Sequence, residues 1–184
     1  MTRFAAIDFE TACYRADSAC AVGIVIVEDG RIVERLYQVI RPPTRWFSFT
    51  HIHGLTWADV QDAQAFDAVW EGMAQALEGI AFFAAHNAPF DRGVLAACCT
   101  RYGLPAPAPE FVCTVRLARA QWNVRPTKLP DVCRYLGIRL NHHHAGSDAE
   151  ACAQIVIAAQ QEGWRYACEG TDPGIAIDST GCGD

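Results

Sequence analysis

The sequence has 184 residues, a formal net charge of −6 and about half of its side chains apolar, which suits one well-filled core and is too little for two ordinary domains with a linker. Its apolar runs break within about ten residues, short of the roughly 20 that a membrane-spanning helix needs. The nine cysteines are odd in number, include the adjacent Cys98 and Cys99 and form no C-x-x-C pair, so they fit reduced core residues better than a disulfide or thiolate-zinc scaffold.

The chain opens directly into Arg3-Phe4-Ala5-Ala6-Ile7, without the charged region, longer apolar region and small-residue cleavage site of an export signal, so a cytoplasmic protein with no membrane partner is expected. Phe4 to Asp8 is a short run of strand formers, Ala21 to Val27 is a second with strong β-branched content, and Arg31 to Ile40 alternates as a third. Glu28-Asp29-Gly30 supplies a turn and Pro42-Pro43 ends the third run, so the first forty residues read as a β-meander. Helical spacing of apolar residues from Phe66 to Leu77 is followed by a buried strand over Ile80 to Ala85. Asn87 caps the next helix, which has Pro89 in its first turn, Phe90, Val94, Leu95 and Cys98 on its inner face, and Gly103 at its end. After a proline-rich stretch from Leu104 to Pro109, helices fit Thr114 to Trp122, Leu129 to Leu136 and Ser147 to Gln161. Residues 170–184 have no periodicity. One domain over residues 1–168 with a mobile tail from 169 to 184 is therefore expected, built as an α/β mixed sheet flanked by helices.

Charge is distributed in blocks. Residues 46–91 carry six acidic side chains and none that is basic, 140–184 carry seven acidic and one basic, and between them 92–139 hold eight basic (Arg92, Arg101, Arg116, Arg119, Arg125, Lys128, Arg134, Arg139) against two acidic. An enzyme that binds cations with carboxylates and a phosphate strand with a separate basic patch needs such a division, although solvated helix faces produce it as well.

Asp8 and Glu10 end the first strand two residues apart, so both carboxylates project from one face while Ile7 and Phe9 anchor the other. Asp91 follows in His86-Asn87-Ala88-Pro89-Phe90-Asp91, where a strand passes into a helix and Phe90 buries its ring. Asp148 follows His143 by five residues in His142-His143-His144-Ala145-Gly146-Ser147-Asp148. Taken singly, each has a plainer reading: two solvated acids, a first-turn acid complementing the helix dipole, a surface histidine run, and a capping box from Ser147 to Glu150. Grouped acids that are buried beside apolar strands are costly without a cation, and hard oxygen ligands select Mg²⁺ or Mn²⁺.

In combination, Asp-x-Glu ending the first strand, His-Asn-x-x-Phe-Asp opening a middle helix and His-x-x-x-x-Asp opening the last helix resemble, in order and approximate spacing, the three motifs of the DnaQ-like DEDDh exonucleases. Ala19-Cys20-Ala21-Val22-Gly23, Arg41-Pro42-Pro43, Ile52-His53-Gly54-Leu55-Thr56, Cys113 through Arg119, and Lys128-Leu129 through Ile138 add to the likeness, which covers roughly residues 3–160. It is nearest to the small bacterial proteins similar to the proofreading subunit of DNA polymerase III. The resemblance implies a ribonuclease-H-like, five-stranded mixed sheet. It also implies that Asp8, Glu10, Asp91 and Asp148 hold two Mg²⁺ or Mn²⁺ ions, that His143 is the general base, and that Thr11, His53, His86, Asn87 and Phe90 hold the terminal nucleotide of a DNA or RNA 3′ end. A DNA polymerase is the implied candidate partner. His53 and His86 also read as satisfied structural histidines, His142 and His144 flank the base, and His144 and Gly146 depart from the arginine and larger aliphatic residue usual there, which implies a more flexible loop. Two other readings stand beside this one: a catalytically silent ribonuclease-H-like module that binds nucleic acid or a polymerase, and a zinc protein using His142 to His144 with nearby cysteines.

Overall fold

Three strands, β1 (Arg3–Thr11), β2 (Ala19–Glu28) and β3 (Arg31–Val39), form the antiparallel meander expected from their strand-forming runs and turn signals, paired through Ile7↔Ile24, Asp8↔Gly23 and Ile24↔Leu36. The computed structural model describes residues 2–105 and 107–166, so the tail expected over 169–184 lies outside the described residues. On the other side of β1 the sheet turns parallel: β4 (Phe82–Ala85) pairs with β1 through Ala6↔Ala84, and β5 (Glu110–Cys113) pairs with β4, giving the order β3-β2-β1-β4-β5. Two short helices, α1 (Thr50–His53) and α2 (Trp57–Val60), precede α3 (Phe66–Met73), and α4 (Ala88–Tyr102) joins β4 to β5. The chain then runs through α5 (Thr114–Trp122), α6 (Leu129–Leu136) and α7 (Ala145–Gln161).

Both faces of the sheet are covered. Ile7, Phe9, Ile24, Ile26 and Phe83 form one buried cluster with Phe66 and Val69 of α3 and Val94 and Leu95 of α4. The alternate residues Phe4, Ala6, Val25, Phe82 and Ala84 form the other with Leu117 of α5, Val132 of α6 and Ala149, Cys152 and Ile155 of α7. The period-2 pattern of β1 thus drives two cores, and Asp8 and Glu10 continue the parity of Phe4 and Ala6 toward α7. α7 comes close because its inner face is mostly small: Ala145, Ala149, Ala151, Cys152 and Ala153 are fully buried. The approach is tightest over Gly23, where an added Cβ would overlap the Ala145 carbonyl.

Several local expectations change. β5, just after the proline-rich stretch, was not expected as a run of its own, because four residues become a strand only by pairing with β4. α3 stops at Met73 and continues as turns, and the buried strand starts at Phe82. The last helix begins at Ala145, not Ser147, with His144 as its N-cap. No capping box forms there: the Ser147 hydroxyl accepts the Asn141 N–H at 2.8 Å, and Glu150 takes a two-pronged ion pair from Arg35 on β3. Phe90 is 46% exposed and belongs to no core cluster. The seven described cysteines are all buried free thiols, and no helix among the described residues is long and apolar enough to cross a membrane.

Because Gly23 sits between Asp8 on the neighbouring strand and the start of α7, Gly23→Ala should lower unfolding stability by about 1–3 kcal/mol through overpacking. Urea denaturation checks this, and an unchanged midpoint would show that α7 does not press on β2 as described.

Candidate active site

The carboxyl ends of the parallel pair β1 and β4 lie side by side, which is where open α/β sheets gather functional groups. β4 passes through Asn87, in a left-handed conformation at φ 66°, directly into α4, and this puts Asp91 of the first turn beside the end of β1. There the Phe9 N–H donates to Asp91 Oδ1 at 3.0 Å. From the other face, the first turn of α7 delivers Asp148, whose Oδ2 receives His142 Nδ1 at 2.9 Å and the His143 N–H at 3.1 Å. One oxygen from each of Asp8, Glu10 and Asp148 lies within 4.8 Å of the others.

These acids are withdrawn from water. Glu10 is 9% exposed, Asp148 4% and Asp91 1%. Asp91 Oδ2 and Asp148 Oδ1 are buried with no hydrogen-bond partner, an arrangement that costs free energy unless something positive meets those oxygens. Burial, then the charges of Asp91, Asp148 and Glu10, holds the Asp8 carboxyl well above the usual range. Burial does the same to Asp91 against the pull of the Phe9 N–H, and raises Asp148 against the pull of His142. Burial and then Asp148 push Glu10 up to about 7. An all-oxygen donor set of this kind fits a hard divalent cation such as Mg²⁺ or Mn²⁺, which would supply the missing partners and cancel the repulsion.

The histidines divide sharply. His53 accepts the Leu55 N–H on Nδ1 at 3.1 Å and donates from Nε2 to the Thr11 carbonyl at 3.1 Å. His86 accepts the Thr114 hydroxyl on Nδ1 at 2.8 Å, donates from Nε2 to the Thr127 carbonyl at 2.9 Å, and is pushed down to about 4 by burial. Both are neutral rings with each nitrogen already used. His143 is exposed, takes a left-handed φ of 66° and stacks on His142 with centroids 3.8 Å apart. Partial burial and the neighbouring His142 lower its pKa below the ordinary imidazole value, which leaves the ring neutral and able to accept a proton near pH 7.

A cleft of about 520 Å³ opens over this cluster, lined by Asp8, Glu10, Thr11, His53, His86, Asn87, Phe90, His143 and Asp148. Of the expected metal-holding, base and nucleotide-holding residues, Asp91 is the one that does not line the cleft. The cleft also recruits Phe49, Ile52, Val115 and Leu129 as apolar lining, Arg119 and Lys128 as cations, and His142. Of these, only Phe49 lies outside the segments that carry the family resemblance or flank the expected base, although no site role was expected for Ile52, Val115 or Leu129. Other members of that stretch are turned elsewhere: Arg101 pairs with Asp17 and Arg134 with Asp131. A larger groove of about 800 Å³ runs between β3 and the loop before α7 and contains none of the four acids. The metal-capable clusters among the described residues contain no cysteine, which removes the thiolate-zinc reading there.

A mixed sheet in this order, with acids gathered at the carboxyl ends of β1 and β4, defines a ribonuclease-H-like hydrolase domain. Residues 5–156 match the RNase T exonuclease family, and the chain belongs to that family. It is 32% identical over 161 residues to the 3′-5′ exonuclease DinG of Bacillus subtilis, covering 84% of this chain and 17% of that protein. It is 29% identical over 160 residues to a PolC-type DNA polymerase III of Thermotoga petrophila, covering 84% of this chain and 12% of that one. The chain thus spans a small part of these curated relatives. Among solved structures, Exonuclease X in complex with 5′ overhanging duplex DNA superposes with a TM-score of 0.72 at 26% identity, covering 88% of this chain and 94% of that one.

Stability should follow the ionisation of the acids. Glu10, at about 7 when folded against 4.5 unfolded, contributes stability that is full below pH 4.5 and lost as pH rises through 7, and Asp8, Asp91 and Asp148 shift in the same sense. His86, at about 4 against 6.5, acts oppositely: its contribution is lost as pH falls from 6.5 toward 4. In a chelator, Tm should therefore decline from about pH 6.5 to 8, and Mg²⁺ should raise Tm more at pH 8 than at pH 6 because protons compete for the same oxygens. Thermal melts test this, and a larger Mg²⁺ increment at pH 6 would contradict the site.

Proposed function

We propose that the domain hydrolyses phosphodiester bonds stepwise from the 3′ end of DNA or RNA, with Asp8, Glu10, Asp91 and Asp148 holding two Mg²⁺ or Mn²⁺ ions and His143 acting as general base. The observation that carries the reading is the convergence of carboxylate oxygens with Asp91 Oδ2 and Asp148 Oδ1 left bare, beside an exposed neutral imidazole. The similarity to DinG supports the 3′-to-5′ direction. Bound cations of this type supply Lewis acidity, polarising the scissile phosphate and acidifying the attacking water. Against that background His143 accepts the water proton on its exposed ring. Phe90 and Ile52, 46% and 41% exposed at the cleft, offer apolar surface on which the terminal base packs. Asn87 and Thr11 line the same pocket and hold the terminal nucleotide. His86 and His53 act through their neighbours, His86 by fixing the Thr127 carbonyl next to Lys128 and His53 by fixing the Thr11 carbonyl. Lys128 and Arg119 give the strand a cationic margin on this side of the cleft.

The likeness to a PolC-type polymerase supports a DNA polymerase as a partner that hands over 3′ ends. Buried free thiols support a reducing, cytoplasmic setting.

Oligonucleotides labelled at either end, as matched DNA and RNA in single-stranded, duplex and mismatched forms, should lose mononucleotides from the 3′ end only when Mg²⁺ or Mn²⁺ is present. Asp8→Ala should reduce release to background, whereas His143→Ala should slow it by roughly 10²-fold while keeping the Mg²⁺-induced rise in Tm. Wild-type rates in both variants would sink the assignment.

A further inference from the structure

The histidine run is only partly absorbed by this chemistry. His144 is spent on structure: its Nδ1 accepts the Ser147 N–H and its ring stacks on Tyr37 at 4.5 Å. His142 is different. Its Nδ1 meets Asp148 Oδ2 at 2.9 Å, its ring lies parallel to that of His143, and one ligand atom from each of His142, His143 and Asp148 falls within 4.8 Å of the others. Asp148 is 4% exposed and its Oδ1 has no partner, while both imidazoles are open to solvent. This set of two nitrogens and one oxygen is chemically distinct from the all-carboxylate set of Asp8, Glu10 and Asp148, and the two share one member.

Imidazole with carboxylate suits Zn²⁺ and its borderline neighbours, whereas carboxylate alone suits Mg²⁺ and Mn²⁺. Tetrahedral zinc with bonds of about 2.0–2.1 Å places its ligand atoms roughly 3.3 Å apart, a contraction that rotation of two surface histidines supplies. We propose that His142, His143 and Asp148 form a nitrogen-rich cation site that takes Zn²⁺ and, when filled, opposes the exonuclease reaction. On binding, the hydrogen bond from His142 Nδ1 to Asp148 is replaced by coordination through Nδ1, with the ring proton held on Nε2. The His143 lone pair that would accept the water proton is consumed, and Asp148 is drawn from the carboxylate set. The inhibitory half of this inference rests on the exonuclease reading, and the binding half does not.

Calorimetric titration of Zn²⁺ into the full chain in saturating Mg²⁺ tests the site, with Co²⁺ absorption spectra reporting imidazole ligation. One Zn²⁺ per chain is expected, weakened at least about tenfold by His142→Asn and little changed by Asp8→Ala, which removes a ligand of the carboxylate set alone. No binding, binding indifferent to His142→Asn, or binding lost with Asp8→Ala would overturn the proposal. In the parallel assay, Zn²⁺ should halt Mg²⁺-driven nucleotide release over the concentration range in which it binds, and release that persists with the site filled would overturn the inhibitory role. A chain that releases no nucleotide before zinc is added counts against the exonuclease reading alone, since the binding data decide the site by themselves.

Discussion

Four carboxylates brought to one strand end repel one another, and drawing them out of water makes each charge dearer still. Folding must therefore succeed in spite of the site. It does so because β1 is anchored on both faces by apolar clusters that owe nothing to Asp8 or Glu10. The electrostatic cost is met locally in two ways: partial neutralisation, as with Glu10 at about 7, and directed donors, as with the Phe9 N–H on Asp91 and the His142 and His143 donors on Asp148. What these devices leave over is the affinity of the site. Bare oxygens at Asp91 and Asp148 represent binding free energy held in reserve for a cation, because the strands and helices that carry them are already fixed.

That reserve depends on how closely α7 lies on the sheet. Gly23 and the small inner residues of α7 set the depth, and Arg35 on β3 ties down the same helical turn by holding Glu150, two residues beyond Asp148. Gly146 belongs to the same device. A Cβ there would sit 3.5 Å from Tyr37 and 3.3 Å from the His144 ring, so its absence leaves room for the ring stack that seats the start of the helix. The loop bearing His143 is consequently tied by the Ser147 bond to Asn141, the two donors on Asp148 and the Tyr37 stack, where the departure to glycine had suggested slack.

The meander was readable because runs of strand-forming residues are bounded by turn signals, and the parity of Ile7 and Phe9 then placed Asp8 and Glu10 on one face without further information. Features decided by distant partners were not readable. β5 is four residues that acquire strand geometry from β4, and Ser147 and Glu150 spell a capping box that Asn141 and Arg35 outbid. Phe90 falls at helical spacing with Val94 and Leu95, yet its position one residue before Asp91 turns it to the cleft. The basic stretch was readable only in part, since charge counts cannot tell Lys128 at the cleft from Arg134, which answers Asp131 on its own helix.

Backbone conformation separates the neighbouring histidines where residue type cannot. Among the described residues four non-glycine residues have positive φ, and three of them are Asp29, Asn87 and Asn123, types whose short polar side chains tolerate that region. His143 is the exception, at a cost of about 1–2 kcal/mol. The strain is sustained by Asp148, which accepts the His143 N–H on the same oxygen that receives His142. His142 is thereby committed through Nδ1, while the His143 ring makes no hydrogen bond among the described residues and faces solvent over the acids. A strained backbone that frees one imidazole and binds its neighbour puts three adjacent histidines in three different environments, and the proposed proton-accepting role of His143 draws on that difference.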